Sequence, residues 1–172
     1  GNTPDHWRDT HFRVEGPVVA QMQMAFLDNW IQATGEVPYG DDYFPPLSPA
    51  GGEDGNMQAQ VFTSSPGGGS ESMQLMYLVA IASATRSLRL SMSYFVPDDV
   101  ALATIVGAIA RGVCVQIILP GPHMDVEVVR RASRASWGRL LEAGAEIYEF
   151  QPAMYHCKVM IVDERFVSVG ST

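Results

Sequence analysis

The sequence predicts an α/β fold in which a mixed, largely parallel sheet is flanked by helices in an α/β/α sandwich. From residue 57 to residue 150, strand-like and helix-like segments alternate, as parallel sheets with crossover helices require. Val113–Leu119 is a continuous apolar run rich in β-branched residues, which is typical of a strand buried on both faces. Tyr155–Val162 and Phe166–Val169 predict a hairpin that adds an antiparallel edge.

The first 56 residues are less regular. His11–Glu15 alternates enough to predict a short strand, and Pro17 suits the first turn of a helix whose apolar residues recur at helical spacing. Gly35 predicts the end of that helix. The segment 35–56 holds four prolines and predicts a long loop, of the kind that is usually functional or marks a boundary within a protein.

From Met57 onward the pattern is regular. A Gly-rich turn, Ser64–Ser70, follows the first strand, and Asp125 is the expected N-cap of the last helix. The predicted strands are Gln58–Thr63, Leu88–Val96, Val113–Leu119 and Glu146–Phe150, and the predicted helices are Glu71–Arg86, Asp98–Ala110 and Asp125–Ala143.

Composition limits the possible functions. The 172 residues are 47% hydrophobic and 17% charged, which suffices for a buried core. A net charge of −8 argues against nucleic acid as the partner, because binding a phosphate backbone needs a basic face. No apolar stretch is long enough to span a membrane. His6 and His11 show no metal-ligand spacing with cysteine or carboxylate residues, and no metal and no cofactor are expected.

The chemically informative segment is 155–172, YHCKVMIVDERFVSVGST. On a strand, His156 and Lys158 point to the same face, which places an imidazole beside an ammonium group in an otherwise apolar run. Lysine stabilises charge on phosphate oxygens, and histidine attacks phosphorus or transfers a proton near neutral pH. The alternative is an ordinary exposed pair on an edge strand.

Three further residues of this segment and one upstream residue are candidates. If the hairpin folds back, Gly170 and Ser171 return near His156, where Ser171 either contacts substrate or serves the turn. Asp163 lies at the hairpin turn, where an aspartate often only bonds nearby backbone. Tyr94 ends a predicted strand, and it either lines a substrate pocket or packs the strand end.

The segment resembles the His-x-Lys-x4-Asp-x6-Gly-Ser signature of the phospholipase D superfamily. The runs MSYFVPDD, RGVCVQIILPG and LLEAGAEIYEFQPAMYHCK, and WRDTHFRVEGPVV near the start, look like the second half of a bacterial cardiolipin synthase. The signature closes with an Asn that would follow Thr172. The catalytic candidates are His156, Lys158 and Asp163. The substrate-binding candidates are Ser171, Gly170 and Tyr94.

Members of this family carry two copies of the motif, which meet to form one site. One histidine is the nucleophile and the other the general acid–base, and the resemblance assigns the second role to His156. It implies that 1–56 is the end of a first phospholipase D-like repeat plus a connecting loop, and that 57–172 is a second repeat. The missing motif would come from the other half of the same protein or from a dimer mate.

The resulting expectation is a phosphatidyltransferase of cardiolipin synthase type, which passes a phosphatidyl group from a phosphatidylglycerol-like lipid to an alcohol through a phosphohistidine. Such a parent protein would work at the membrane surface, on its cytoplasmic face. One alternative is a phospholipase D or another phosphodiesterase or nuclease that uses water as acceptor. Another is an inactive half-domain that acts as an interaction module.

Overall fold

The computed structural model describes residues 6–47, 57–64 and 70–170. These residues divide into two compact units, the first formed by the N-terminal residues up to Thr10 together with Gln74 onward, and the second by His11–Met73. The predicted division into 1–56 and 57–172 stays a prediction. The helices are α1 (Val18–Thr34), α2 (Ser70–Ser83), α3 (Asp99–Ala110) and α4 (Glu127–Ala143), and the strands are β1 (Ser87–Met92), β2 (Cys114–Pro120), β3 (Glu146–Phe150), β4 (Lys158–Val162) and β5 (Phe166–Val169).

The first unit contains one five-stranded sheet in the order β3-β2-β1-β4-β5. β1 pairs with β2 and β2 with β3 in parallel, whereas β4 runs antiparallel to both β1 and β5. The mixed sheet with flanking helices and the antiparallel hairpin are confirmed. Because β4 is antiparallel to β1, Lys158 at its start pairs with Met92, at the carboxyl end of β1.

One face of the sheet forms the core with α2, α3 and α4. Alternate strand residues point into this core, including the fully buried Leu88, Ile117 and Met160. The helices complete the cluster with apolar residues such as Ile81, Ile105 and Leu140. At about 25 cal/mol per Å² of buried apolar surface, these contacts are the main stabilising term of the unit. They hold the strand ends, and hence the residues that follow them, in fixed positions.

The ends of the crossover helices have clear causes. The Asp98 carboxylate caps α3 by accepting the Ala101 N–H at 2.7 Å. Gly144 ends α4 in the left-handed conformation, with φ of 107°. The predicted cap of α4 is wrong: the helix begins at Glu127 after Val126, which makes no side-chain capping bond, and the Asp125 carboxylate is bonded elsewhere.

The second unit contains α1, which ends at Gly35, as predicted, in the left-handed conformation. The strands predicted at His11–Glu15 and Gln58–Thr63 are wrong, since neither segment is a strand. Alternating side chains are not enough for a strand, because its backbone groups also need a partner strand to bond. Among the described helices, none combines the length and apolarity that crossing a bilayer requires.

Candidate active site

The segment just before β4 is bridged to the N-terminal segment. Arg8 donates its N–H to Met154 O at 2.7 Å, and His156 donates its N–H to Arg8 O at 2.8 Å. Arg8 and Tyr155 thus form a short parallel bridge. The Tyr155 hydroxyl lies 2.8 Å from the hydroxyl of Ser91 on β1. These bonds fix the approach to β4 and bring the residues on either side of Arg8 close to His156.

The His156 ring is held at both nitrogens. Its Nδ1 lies 3.0 Å from Asp9 Oδ2, and its Nε2 lies 3.0 Å from Lys158 Nζ. An ammonium group only donates, so these partners assign the proton to Nδ1, with a lone pair on Nε2 facing the lysine. The hydrogen bond with His156 lowers the pKa of the Asp9 carboxyl below its ordinary value. The ring is therefore oriented by a partner at each nitrogen.

Lys158 is half-buried and begins β4, whereas His156 lies just before the strand. The predicted strand Tyr155–Val162 is therefore shorter at its start, because Tyr155 forms an isolated bridge with Arg8 and is not part of β4. The Lys158 ammonium also donates to His156 O at 3.1 Å. Its Nζ thus lies within hydrogen-bond distance of the imidazole, where it can stabilise a phosphate oxygen beside that ring.

Aromatic rings surround the pair. The Tyr94 ring meets the His156 ring edge-on, at 6.3 Å between centroids and 82° between planes. Lys158 Nζ lies over the Tyr94 ring, 5.8 Å from its centroid. Trp7 packs against His156 at 5.2 Å between centroids. The Tyr94 hydroxyl donates to Asp125 Oδ2 at 2.7 Å, and this bond raises the pKa of Tyr94.

Asp163 lies at the opposite end of β4. At about 3.3 Å per residue, five positions separate it from Lys158 by roughly 16 Å. Its Oδ1 accepts the N–H groups of Arg86 and Ser87 at 2.8 Å each. Its Oδ2 accepts the N–H and hydroxyl of Thr85 at 2.9 and 2.7 Å. These bonds hold the pKa of the Asp163 carboxyl well below its usual range, with the Ser87 N–H the largest cause.

The hairpin returns to the site as expected. β5 pairs antiparallel with β4 through Val159 and Val169, and Gly170 then donates its N–H to Lys158 O at 3.1 Å. Gly170 therefore lies beside the start of β4, and an added Cβ would meet nothing there within 4 Å. Ser171 lies outside the described residues, so its predicted contact with substrate stays a prediction.

Of the predicted residues, the structure brings His156, Lys158, Tyr94 and Gly170 together at the carboxyl ends of the parallel strands, and it does not bring Asp163 there. Sequence reasoning missed Asp9, Trp7 and Asp125. Asp9 and His156 are 147 positions apart, which no local pattern detects. The one available signal was the family-like run WRDTHFRVEGPVV, which contains Trp7 and Asp9.

The arrangement suits phosphoryl chemistry. The imidazole and the ammonium group are held within hydrogen-bond distance of each other, next to a carboxylate that orients the ring. Within residues 6–47, 57–64 and 70–170, no three or more His, Cys, Asp or Glu side chains converge closely enough to hold a metal ion.

Comparison with curated proteins finds relatives that share a name. The chain is 34% identical over 165 residues to cardiolipin synthase A of Pseudomonas putida strain GB-1, a match that covers 96% of this chain and 33% of that protein. It is 36% identical over 165 residues to cardiolipin synthase of Geobacillus kaustophilus, covering 96% and 32%. The chain thus spans about a third of the length of these relatives.

Among solved structures, the chain matches Nuc of Salmonella typhimurium, a phospholipase D family member. The identity is 32%, the TM-score 0.48, and the match covers 62% of this chain and 66% of that one. The family model described as "Cardiolipin synthase, PLD-like domain" matches residues 77–172, which is more than half of the chain. The chain therefore belongs to the cardiolipin synthase, PLD-like domain family of the phospholipase D superfamily.

Proposed function

We propose that the protein containing this chain transfers a phosphatidyl group from a phosphatidylglycerol-like lipid to an alcohol acceptor through a phosphohistidine, and that His156 is its general acid–base. The observation that supports this proposal is the 3.0 Å contact between His156 Nε2 and Lys158 Nζ, with Asp9 on the other ring nitrogen. The names of the relatives favour the lipid substrate.

The nucleophilic histidine comes from a second motif. The chain contains a single His-x-Lys sequence, at His156 and Lys158. The second motif is therefore supplied by another half of the same protein or by a dimer mate. Two histidines are needed because one stays bonded to phosphorus while the other moves a proton.

The first step forms the covalent intermediate. His156 enters it as the imidazolium, with a proton on each ring nitrogen. The nucleophilic histidine attacks phosphorus, the P–O bond to the departing alcohol breaks, and that oxygen takes the Nε2 proton of His156. Lys158 stabilises the charge that builds up on the non-bridging oxygens. His156 is then neutral, and its Nε2 can accept a proton in the second step.

The second step reverses these roles. The acceptor alcohol gives its proton to His156 Nε2, its oxygen forms a new P–O bond, and the P–N bond to the nucleophilic histidine breaks. Asp9 compensates the charge of the imidazolium that forms, as the carboxylate of a catalytic triad does. With a second phosphatidylglycerol as acceptor, the products are cardiolipin and glycerol.

The test compares the full-length protein with its His156→Ala variant. Vesicles that contain phosphatidylglycerol are incubated with each protein, and cardiolipin, glycerol and phosphatidic acid are quantified. We expect cardiolipin and glycerol from the wild type and at least about a thousandfold slower turnover from the variant. Unchanged turnover in the variant contradicts the role of His156. Phosphatidic acid without cardiolipin identifies a hydrolase instead.

The place of action is part of the proposal. A phosphatidylglycerol-like substrate resides in a bilayer, so we propose that the parent protein works at the cytoplasmic face of the membrane. Fractionation of cells that express it tests this, with protease treatment of intact cells and of inverted vesicles. Cleavage in intact cells contradicts the cytoplasmic face.

A further inference from the structure

The Asp125 carboxylate accepts a hydrogen bond from Tyr94 and does not cap a helix. An aspartate just before a helix normally caps it, but the residue before α4 is Val126, and Asp125 Oδ2 accepts the Tyr94 hydroxyl at 2.7 Å. The bond joins residues 31 positions apart, one after β1 and one after β2. Asp125 is exposed, so its position depends on this contact more than on packing.

The loop that carries Asp125 is also fixed at its other end. Gly121 donates its N–H to Phe150 O at 3.0 Å, directly after β2. A Cβ at Gly121 would lie 2.5 Å from that same oxygen, a distance at which the backbone would have to shift. Residues 121–126 are therefore tied to β3 at the start and to Tyr94 at the end.

Tyr94 in turn contacts both reactive side chains. Its ring lies 6.3 Å from the His156 ring between centroids, and Lys158 Nζ lies 5.8 Å from its centroid. A hydrogen bond to a carboxylate polarises the phenol and makes the ring a better partner for a cation. One side chain thus contacts both the imidazole and the ammonium group, and Asp125 holds the hydroxyl of that side chain.

We propose that Asp125 is a positioning residue that holds Tyr94 as an aromatic wall beside His156 and Lys158, and that this wall favours an alcohol over water as the acceptor. The inference rests on the proposed function, and it assigns to the loop after β2 the choice between transfer and hydrolysis.

The physical reason lies in the second chemical step. Water and an alcohol react in the same way, each giving a proton to His156 Nε2 and a new P–O bond as the P–N bond breaks. An aromatic surface excludes water from the ring face and offers apolar contact to the carbon atoms of an alcohol. When the Tyr94 side chain moves away, we expect the rate of attack by water to rise more than the rate of attack by the alcohol falls.

The test measures the ratio of phosphatidic acid to cardiolipin made from phosphatidylglycerol vesicles by the full-length protein. Asp125→Ala and Tyr94→Phe each remove the hydrogen bond, and we expect each to raise the ratio on the order of tenfold. The double variant should equal either single variant, because both remove the same interaction. Asp125→Asn retains an acceptor for the Tyr94 hydroxyl and should restore most of the wild-type ratio.

Glu127→Ala is the matched control, since it removes an exposed carboxylate of the same region whose partner is Arg131. We expect it to keep the wild-type ratio. The proposal is overturned if Asp125→Ala slows both products equally, or if the effects of Asp125→Ala and Tyr94→Phe add. A wild-type protein that makes no cardiolipin overturns the proposed function instead, and that result is seen before any variant is compared.

Discussion

The two ends of β4 carry different parts of the same sequence motif, and the side chains at the two ends have different kinds of partner. At the start of the strand, His156 and Lys158 contact each other and three neighbours that come from distant parts of the chain. At its end, the Asp163 carboxylate accepts hydrogen bonds from three backbone N–H groups and one hydroxyl of residues 85–87. The fixed spacing of the motif therefore reflects the length of a strand and a hairpin, and it does not bring all of the motif's residues into one site.

The largest expected effect is at the reactive end. Lys158→Ala removes the ammonium group that lies 3.0 Å from His156 Nε2, so we expect kcat for cardiolipin formation to fall about a thousandfold. Steady-state assays on phosphatidylglycerol vesicles measure it. Arg131→Ala, which removes an exposed cation from α4, is the control and should keep wild-type kcat. A Lys158→Ala variant with near-normal kcat would make the phosphate contact of Lys158 untenable.

A smaller effect is expected for the carboxylate behind the imidazole. Asp9→Asn keeps the size of the side chain but removes its charge, and we expect kcat to fall about ten- to a hundredfold. The effect is smaller than for a buried triad because the Asp9 side chain is 61% exposed. Asp28→Asn makes the same chemical change at an exposed position of α1 and should leave kcat unaltered. Equal kcat in the wild type and Asp9→Asn would argue that the Asp9 contact does not serve catalysis.

The smallest effect on turnover is expected at the other end of the strand. Asp163→Asn should change kcat per folded molecule by less than about twofold, because its carboxylate lies far from His156. It should lower the free energy of unfolding, since the carboxylate holds the turn before β1. Glu164→Gln, at the neighbouring exposed residue, should cost less stability. A large fall in kcat at unchanged stability would place Asp163 in the chemistry.

The pH dependence of that stability difference follows from the pKa of Asp163. The carboxyl titrates near 3.8 in a model peptide and below that value in the folded chain. A depressed folded pKa gives stability that is fully present above the unfolded pKa and is lost as pH falls through the folded one. The gap between wild type and Asp163→Asn should thus be constant near neutral pH and shrink below about pH 4, as denaturant titrations at several pH values would measure.

Much of this arrangement was predictable from the sequence. Strand and helix patterns predicted every strand of the sheet within a few residues, and the motif located His156, Lys158 and the return of Gly170. The strand predicted at Gln58–Thr63 failed because alternation says nothing about pairing. Asp125 was interpreted as a cap because local rules consider only the nearest helix.

Asp9 shows the remaining limit. Its contact with His156 depends on a short bridge between Arg8 and Tyr155, and so on the placement of two distant segments side by side. Hydrophobic periodicity fixes which face of an element is buried, but it does not fix which remote loop arrives beside a particular side chain. Such contacts emerge only when the whole unit packs.

The tight turn between β4 and β5 has a consequence for protein engineering. Three residues, 163–165, connect the paired Val162 and Phe166. Asp163 and Glu164 both adopt positive φ, at 53° and 60°, and Arg165 donates its N–H to Val162 O at 3.0 Å, which closes the turn. Adding or deleting one residue there would shift the pairing of the two strands by one position and move Gly170 away from Lys158. Reporter tags, affinity handles and loop grafts therefore belong elsewhere on this chain, because the length of this turn determines whether Gly170 lies beside Lys158.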